Sequence, residues 1–140
     1  MSKTAREIMS GGCECVGEND SIAQAAGRMR DLDVGALPIC GEDDRLKGML
    51  TDRDIVVKVI AEGRDPQQVT AGEFGQGKPV TIGADDSVEV AIETMKDHAV
   101  RRLPVIDGHD LIGIVSQGDV AKEVSDSAAG DLVEAISAAA

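Results

Sequence analysis

The chain has 140 residues, a formal net charge of -12, a pI of about 4.4 and a single aromatic residue, Phe74. That length suits one compact domain or two half-size units sharing a core. So acidic a surface repels nucleic acid and anionic lipid, and the near-absence of aromatics removes the stacking platforms of single-strand binders. No apolar run reaches the roughly 18 residues of a membrane span. Met1–Arg6 carries no apolar signal core, so the expectation is a cytoplasmic protein with no membrane or nucleic-acid partner.

The elements follow in order. Thr4 and Glu7 have capping-box spacing and predict a short helical turn. An extended stretch follows around Cys15 and Val16. Ser21 with Gln24 predicts the cap of an amphipathic helix whose apolar face is Ile22, Ala25, Ala26, Met29 and Leu32. Leu37–Cys40 and Leu46–Leu50 predict a hairpin across Gly41–Asp44. A helix is predicted from Thr51 to near Gly63, and 63–69 is the natural linker. The order then repeats: a turn at Thr70–Glu73, an extended stretch at Val80–Ile82, and a helix capped by Asp86 with Glu89, with Val88, Ala91, Ile92, Met95 and Ala99 on its apolar face. A hairpin of Leu103–Ile106 and Leu111–Val115 and a helix from Ser116 complete it. In the tail, Leu132, Val133 and Ile136 recur at helical spacing and predict a last helix that packs back or across a dimer.

This is an internal repeat. Thr4, Ser21, Met29 and Leu37-Pro38 return 66 residues later as Thr70, Ser87, Met95 and Leu103-Pro104. After one residue is lost in a turn, Gly48, Thr51 and Asp54 return as Gly113, Ser116 and Asp119. The fold class is therefore α+β (α/β-like): strand-helix-strand-strand-helix written twice. Each half is marginal alone, and the economical arrangement packs them through their sheets with pseudo-twofold symmetry. The divisions are 1–62, a linker 63–69, 70–124, and a helical tail 125–140.

Two signatures occur in both halves: Leu-Pro after the first helix, and Gly-x-x-Thr/Ser-x-x-Asp at the last strand-to-helix junction (Gly48 to Asp54, Gly113 to Asp119). Together with the element order they resemble the CBS family, over nearly the whole chain. The chain is also similar to small stand-alone CBS pairs of the bacterial hypoxia-response type, notably in Ala-Leu-Pro-Ile-Cys-Gly and Leu-Thr-Asp-Arg-Asp. The resemblance implies a regulatory module, not an enzyme. It implies an adenosyl ligand (AMP, ADP, ATP or S-adenosylmethionine) held between the two motifs, no required cofactor, and a homodimer. It also implies that Asp54 and Asp119 take ribose hydroxyls while Thr51 and Ser116 lie near the ribose or phosphate.

Physical chemistry allows this: a hydroxyl at a helix N-cap with free amides behind it suits an anion, and a carboxylate one turn later accepts two bonds from a cis-diol. The same residues also serve as plain helix caps. Arg101 and Arg102 precede Leu103-Pro104, where the first repeat has Gly35-Ala36, so a phosphate is expected at the second repeat; pairing of these arginines with surface carboxylates is the alternative.

Cys15 lies on the first strand and Cys40 ends the strand after the crossover helix. Such strands are usually parallel neighbours, which makes Cys15–Cys40 the candidate disulfide and leaves Cys13 free. Reduced thiols are the ordinary cytosolic state, and Cys13, Cys15 and Cys40 as metal ligands are a third reading that lacks the spacing of secure zinc sites. No nucleophile elbow, metalloprotease helix or P-loop occurs, and His98 and His109 fall at a helix end and a turn. A dimeric, ligand-free interaction protein with a redox-responsive Cys15–Cys40 pair is the alternative function.

Overall fold

The computed structural model describes residues 3–11, 14–75 and 79–138. By contact the chain forms two compact units, one being Glu14–Pro79 and the other Met1–Cys13 together with Val80–Ala140. The chain opens with α1 (Ala5–Ile8) and β1 (Ser10–Gly11), which belong to the second of these.

The contiguous unit runs β2 (Val16–Gly17), α2 (Ile22–Leu32), β3 (Ala36–Cys40), β4 (Leu46–Thr51), α3 (Asp52–Asp54), a wide-turned π-helix at Ile55–Ile60, and a 3-10 turn at Ala71–Phe74. α2 starts where expected: Ser21 Oγ accepts from Gln24 N, and Gln24 Oε1 accepts from Ser21 N. Its buried face is Ile22, Ala25 and Met29. Ala26 and Leu32, expected on that face, are exposed, because a helix lying on a three-stranded sheet has only a narrow stripe to cover. β3 is the middle strand, parallel to β2 and antiparallel to β4. A proline in a middle strand normally forfeits a ladder bond. Here β2 meets β3 only at Ile39 and Cys40, so Pro38 has no partner to lose on that side. Val16, Ile22, Leu37, Ile39, Leu50 and Val59 fill the core.

The other unit repeats the plan with β5 (Ile82–Gly83), α4 (Val88–His98), β6 (Arg102–Asp107), β7 (Asp110–Ser116), α5 (Gln117–Ala121) and α6 (Asp126–Ala138). Its sheet order is β1-β7-β6-β5. Pro104 sits as Pro38 does, because β5 meets β6 only from Val105. The cap of α4 corrects the sequence expectation: Ser87, not Asp86, is the N-cap, its Oγ accepting from Val90 N. Asp86 instead accepts from Gly83 N at 2.9 Å, as Asp20 does from Gly17 N at 2.8 Å. A short acidic side chain closes the preceding turn in both repeats, which leaves the serine for the helix.

The opening turns are exchanged. Ala5 N donates to Asp86 O, Arg6 N to Ala84 O, and Val88 N to Lys3 O. Sixty-six residues along, Ala71 N donates to Asp20 O and Gly72 N to Glu18 O, while Ile22 N donates to Val69 O. Each repeat's first turn therefore completes the strand-to-helix loop of the other repeat. Divisions at 62 and 70 follow the sequence repeat; packing follows these bonds.

α6 packs back on its own unit, against α4 and α5, with Leu132 and Ile136 in the core. Ser125 Oγ accepts from Ala128 N at its start. Gly130 lies inside this helix, exposed, with open space where a Cβ would stand. Gly130→Ala is expected to raise stability by about 0.5–1 kcal/mol through reduced unfolded-state entropy, read as a higher denaturation midpoint in urea.

Candidate functional site

Both Gly-x-x-Thr/Ser-x-x-Asp segments fold into the same object, a strand end turned into a helix through a reciprocal capping box. In the first, Asp54 N donates to Thr51 Oγ1 at 3.1 Å and Thr51 N donates to Asp54 Oδ2 at 3.0 Å. In the second, Asp119 N donates to Ser116 Oγ at 3.1 Å and Ser116 N to Asp119 Oδ2 at 2.9 Å. All four residues are half-buried. So the capping role is real in both repeats, and it uses one oxygen of each aspartate.

The two boxes differ in what is left over. The second oxygen of Asp54 lies 3.3 Å from Lys58 Nζ, a one-turn ion pair. At the place of Lys58 the second repeat has Glu123, which pairs with Lys3 at 3.2 Å, and no cation pairs with Asp119 among the described residues. The amides expected to be free are mostly committed. Asp52 N donates to Gly35 O and Arg53 N to Asp52 Oδ1, so with Asp54 N the first turn is fully used. In the second, Gln117 N donates to Arg101 O and Asp119 N to Ser116 Oγ, which leaves Gly118 N without an acceptor among the described residues.

Charge differs as well. The Asp52 carboxylate stands over Gly35, 3.0 Å from where a Cβ there would be. Asp52 and Asp54 thus share one box. The matching positions in the second repeat are Gln117, uncharged, and the exposed Arg101 and Arg102. The register Arg102↔Ser116 and the bond from Gln117 N to Arg101 O put both arginines' backbones beside the box. Neither arginine forms an ion pair with a carboxylate among the described residues. Lys58 was the residue that motif reading passed over. Its i,i+4 spacing to Asp54 is legible in the sequence, but the difference matters only once Glu123 is set against it.

Cys15 and Cys40 are joined in a disulfide, their Cα atoms 5.7 Å apart, at the junction of β2 and β3. Arg28 Nη1 also donates to Cys15 O at 2.7 Å. Two sulfurs of the three-cysteine metal reading are consumed by this bond, and Cys13 lies outside the described residues. Among the described residues no cluster of three or more His, Cys, Asp or Glu is arranged to hold a metal ion. A shallow depression at the start of α2, lined by Asn19, Ser21, Ala23, Gln24, Gln67 and Thr70, includes none of the box residues. No helix among the described residues is long and apolar enough to cross a membrane.

The profile of the CBS domain matches residues 5–61 and again 71–126. Hypoxic response protein 1 of Mycobacterium tuberculosis is 49% identical over 133 residues, which span 95% of this chain and 93% of that protein. The crystal structure of Hypoxic Response Protein I with two coordinated zinc ions is similar at a TM-score of 0.80 and 50% identity, covering 88% of this chain and 100% of that one. The crystal structure of CBSX2 in complex with AMP has a TM-score of 0.71 at 23% identity, covering 85% and 93%, a likeness of fold.

Proposed function

The chain belongs to the CBS-domain family, with two copies of the domain in tandem, and from that premise we propose that it is a regulatory module that binds an adenosyl phosphate at the Ser116–Asp119 box. The observation that supports this is the difference between the boxes. Asp119 keeps one carboxylate oxygen clear of any described cation for a ribose diol, and two arginines that form no ion pair among the described residues have their backbones beside it. At the other box Asp54 is held by Lys58, and Asp52 adds a second negative charge. One ligand per chain follows, with AMP favoured over ATP because the surface as a whole is acidic. The setting we propose is a hypoxia or stress response, as a cytoplasmic homodimer, on the strength of the identity to Hypoxic response protein 1.

Thermal unfolding with AMP, ADP, ATP and S-adenosylmethionine at millimolar concentration tests the reading. A ligand at a hundred times its dissociation constant adds about 2.7 kcal/mol. AMP is expected to raise the transition, Asp119→Ala and the Arg101→Ala/Arg102→Ala double variant to abolish the rise, and Asp54→Ala to retain it. Equal loss in Asp54→Ala and Asp119→Ala would overturn the one-box assignment. No shift with any of the four favours the second reading, a ligand-free dimeric interaction protein whose observation is the Cys15–Cys40 bond.

A further inference from the structure

The helix that carries the second box is too short to hold itself. α5 has five residues, Gln117–Ala121, and isolated helices of that length do not persist in water. In the first repeat the helical path continues from α3 through Ile60 and is tied down locally, with Lys58 on Asp54 and also 6.0 Å from the Phe74 ring. Among the described residues the second repeat lacks these two ties, since Glu123 replaces Lys58. Besides its seat on β7 and α4 and the Lys3–Glu123 pair, what it has is α6. Val120, the residue after Asp119, is fully buried in the same cluster as Leu132 and Ile136, which are 1% and 3% exposed. α6 packs on both α5 and α4. The CBS match ends at 126, where α6 begins, so this helix lies outside the repeated domain.

We propose that α6 is a brace that positions the Ser116–Asp119 box, acting through Val120, with Leu132 and Ile136 as its positioning residues. Seating of α6 and occupancy of the box are then linked: whatever orders one favours the other. The ligand half of this inference rests on the function proposed above; the structural half does not.

The test uses the full chain and native-state hydrogen exchange at single residues. The Asp119 amide, bonded to Ser116 Oγ, reports the second box, and the Asp54 amide, bonded to Thr51 Oγ1, is the internal control. Leu132→Ala is expected to speed exchange at Asp119 about tenfold or more and leave Asp54 unchanged. Leu132→Met is expected to restore the parent rate, and Gly130→Ala, which firms α6 while leaving the core alone, to slow Asp119 exchange. If Leu132→Ala does not fold, Ile136→Val is read in its place with the same pattern at smaller amplitude. Calorimetric titration with AMP is run in parallel, with about tenfold weaker binding expected in Leu132→Ala. Unchanged Asp119 exchange, or equal acceleration at Asp54 and Asp119, overturns the brace. Parent protein that does not bind AMP, with the selective exchange pattern intact, removes the proposed ligand and leaves the brace standing.

Discussion

Replacing Cys15 and Cys40 together by serine is expected to lower the stability of the Glu14–Pro79 unit by about 3 kcal/mol. The bond joins residues 25 apart in sequence. Closing a loop of that size removes chain entropy from the unfolded state worth roughly 3–4 kcal/mol. A unit of this size has little reserve, so the loss is a large fraction of its total. The second repeat offers an internal control: its strands β5 and β6 take the same parallel pairing with Thr81 and Ile106 at the matching positions, with no sulfur at all. The topology therefore does not depend on the bond, and the double variant should keep its fold at low temperature. Urea unfolding of the oxidised protein, the protein in reductant and the double variant, followed by probes in each unit, checks this. The last two are expected to coincide, with the Glu14–Pro79 transition displaced downward and the other unit unmoved. Three superimposed curves would show that the bond adds nothing to the stability of this unit.

A comparably large effect is expected at Gly113. Its backbone lies in β7 directly across from Gly11 of β1. A Cβ there would stand 2.5 Å from Met9 Sδ and 2.7 Å from Ser10 O. The methionine end can swing aside, but the carbonyl belongs to the strand that β7 pairs with and moves only if the strands separate. Gly113→Val should therefore push β1 off the sheet, at a cost toward the upper end of the roughly 1–3 kcal/mol typical of overpacking. Loss of exchange protection confined to residues 8–11, with a lower melting temperature, is the expected signature. Parent-like stability would mean that β1 contributes nothing to this unit.

The repeat made most of this architecture readable. A 66-residue spacing carried by Ser21/Ser87, Met29/Met95 and Pro38/Pro104 specifies two copies of one element order, and the copies fold alike. The crossover rule likewise places Cys15 beside Cys40, where the disulfide joins them. Three things were not fully legible, each for a physical reason. The Asp86 cap was misplaced because aspartate and serine are both good caps and only the Gly83 turn decides between them. The face of α2 was drawn too wide, with Ala26 and Leu32 in it, because periodicity cannot say how broad a surface the partner sheet presents. The contrast between the boxes was legible only in part: Gly35-Ala36 against Arg101-Arg102 shows in the repeat itself, whereas the pairing of Lys58 with Asp54, and its replacement by Glu123, lies outside the motifs.

The exchange of opening turns also orders events in time. The unit Glu14–Pro79 is one uninterrupted stretch, and its longest ties, such as Gly72 N to Glu18 O, close within it. It can finish as soon as that stretch has been made. The other unit cannot: Ala5 must wait for Asp86, and Ser10 for Ile114. Contacts of such separation carry a greater loop-closure cost and form slowly. During synthesis the first residues therefore stay unengaged while the middle of the chain folds. The unit that bears the arginines and the open aspartate is the last to be assembled.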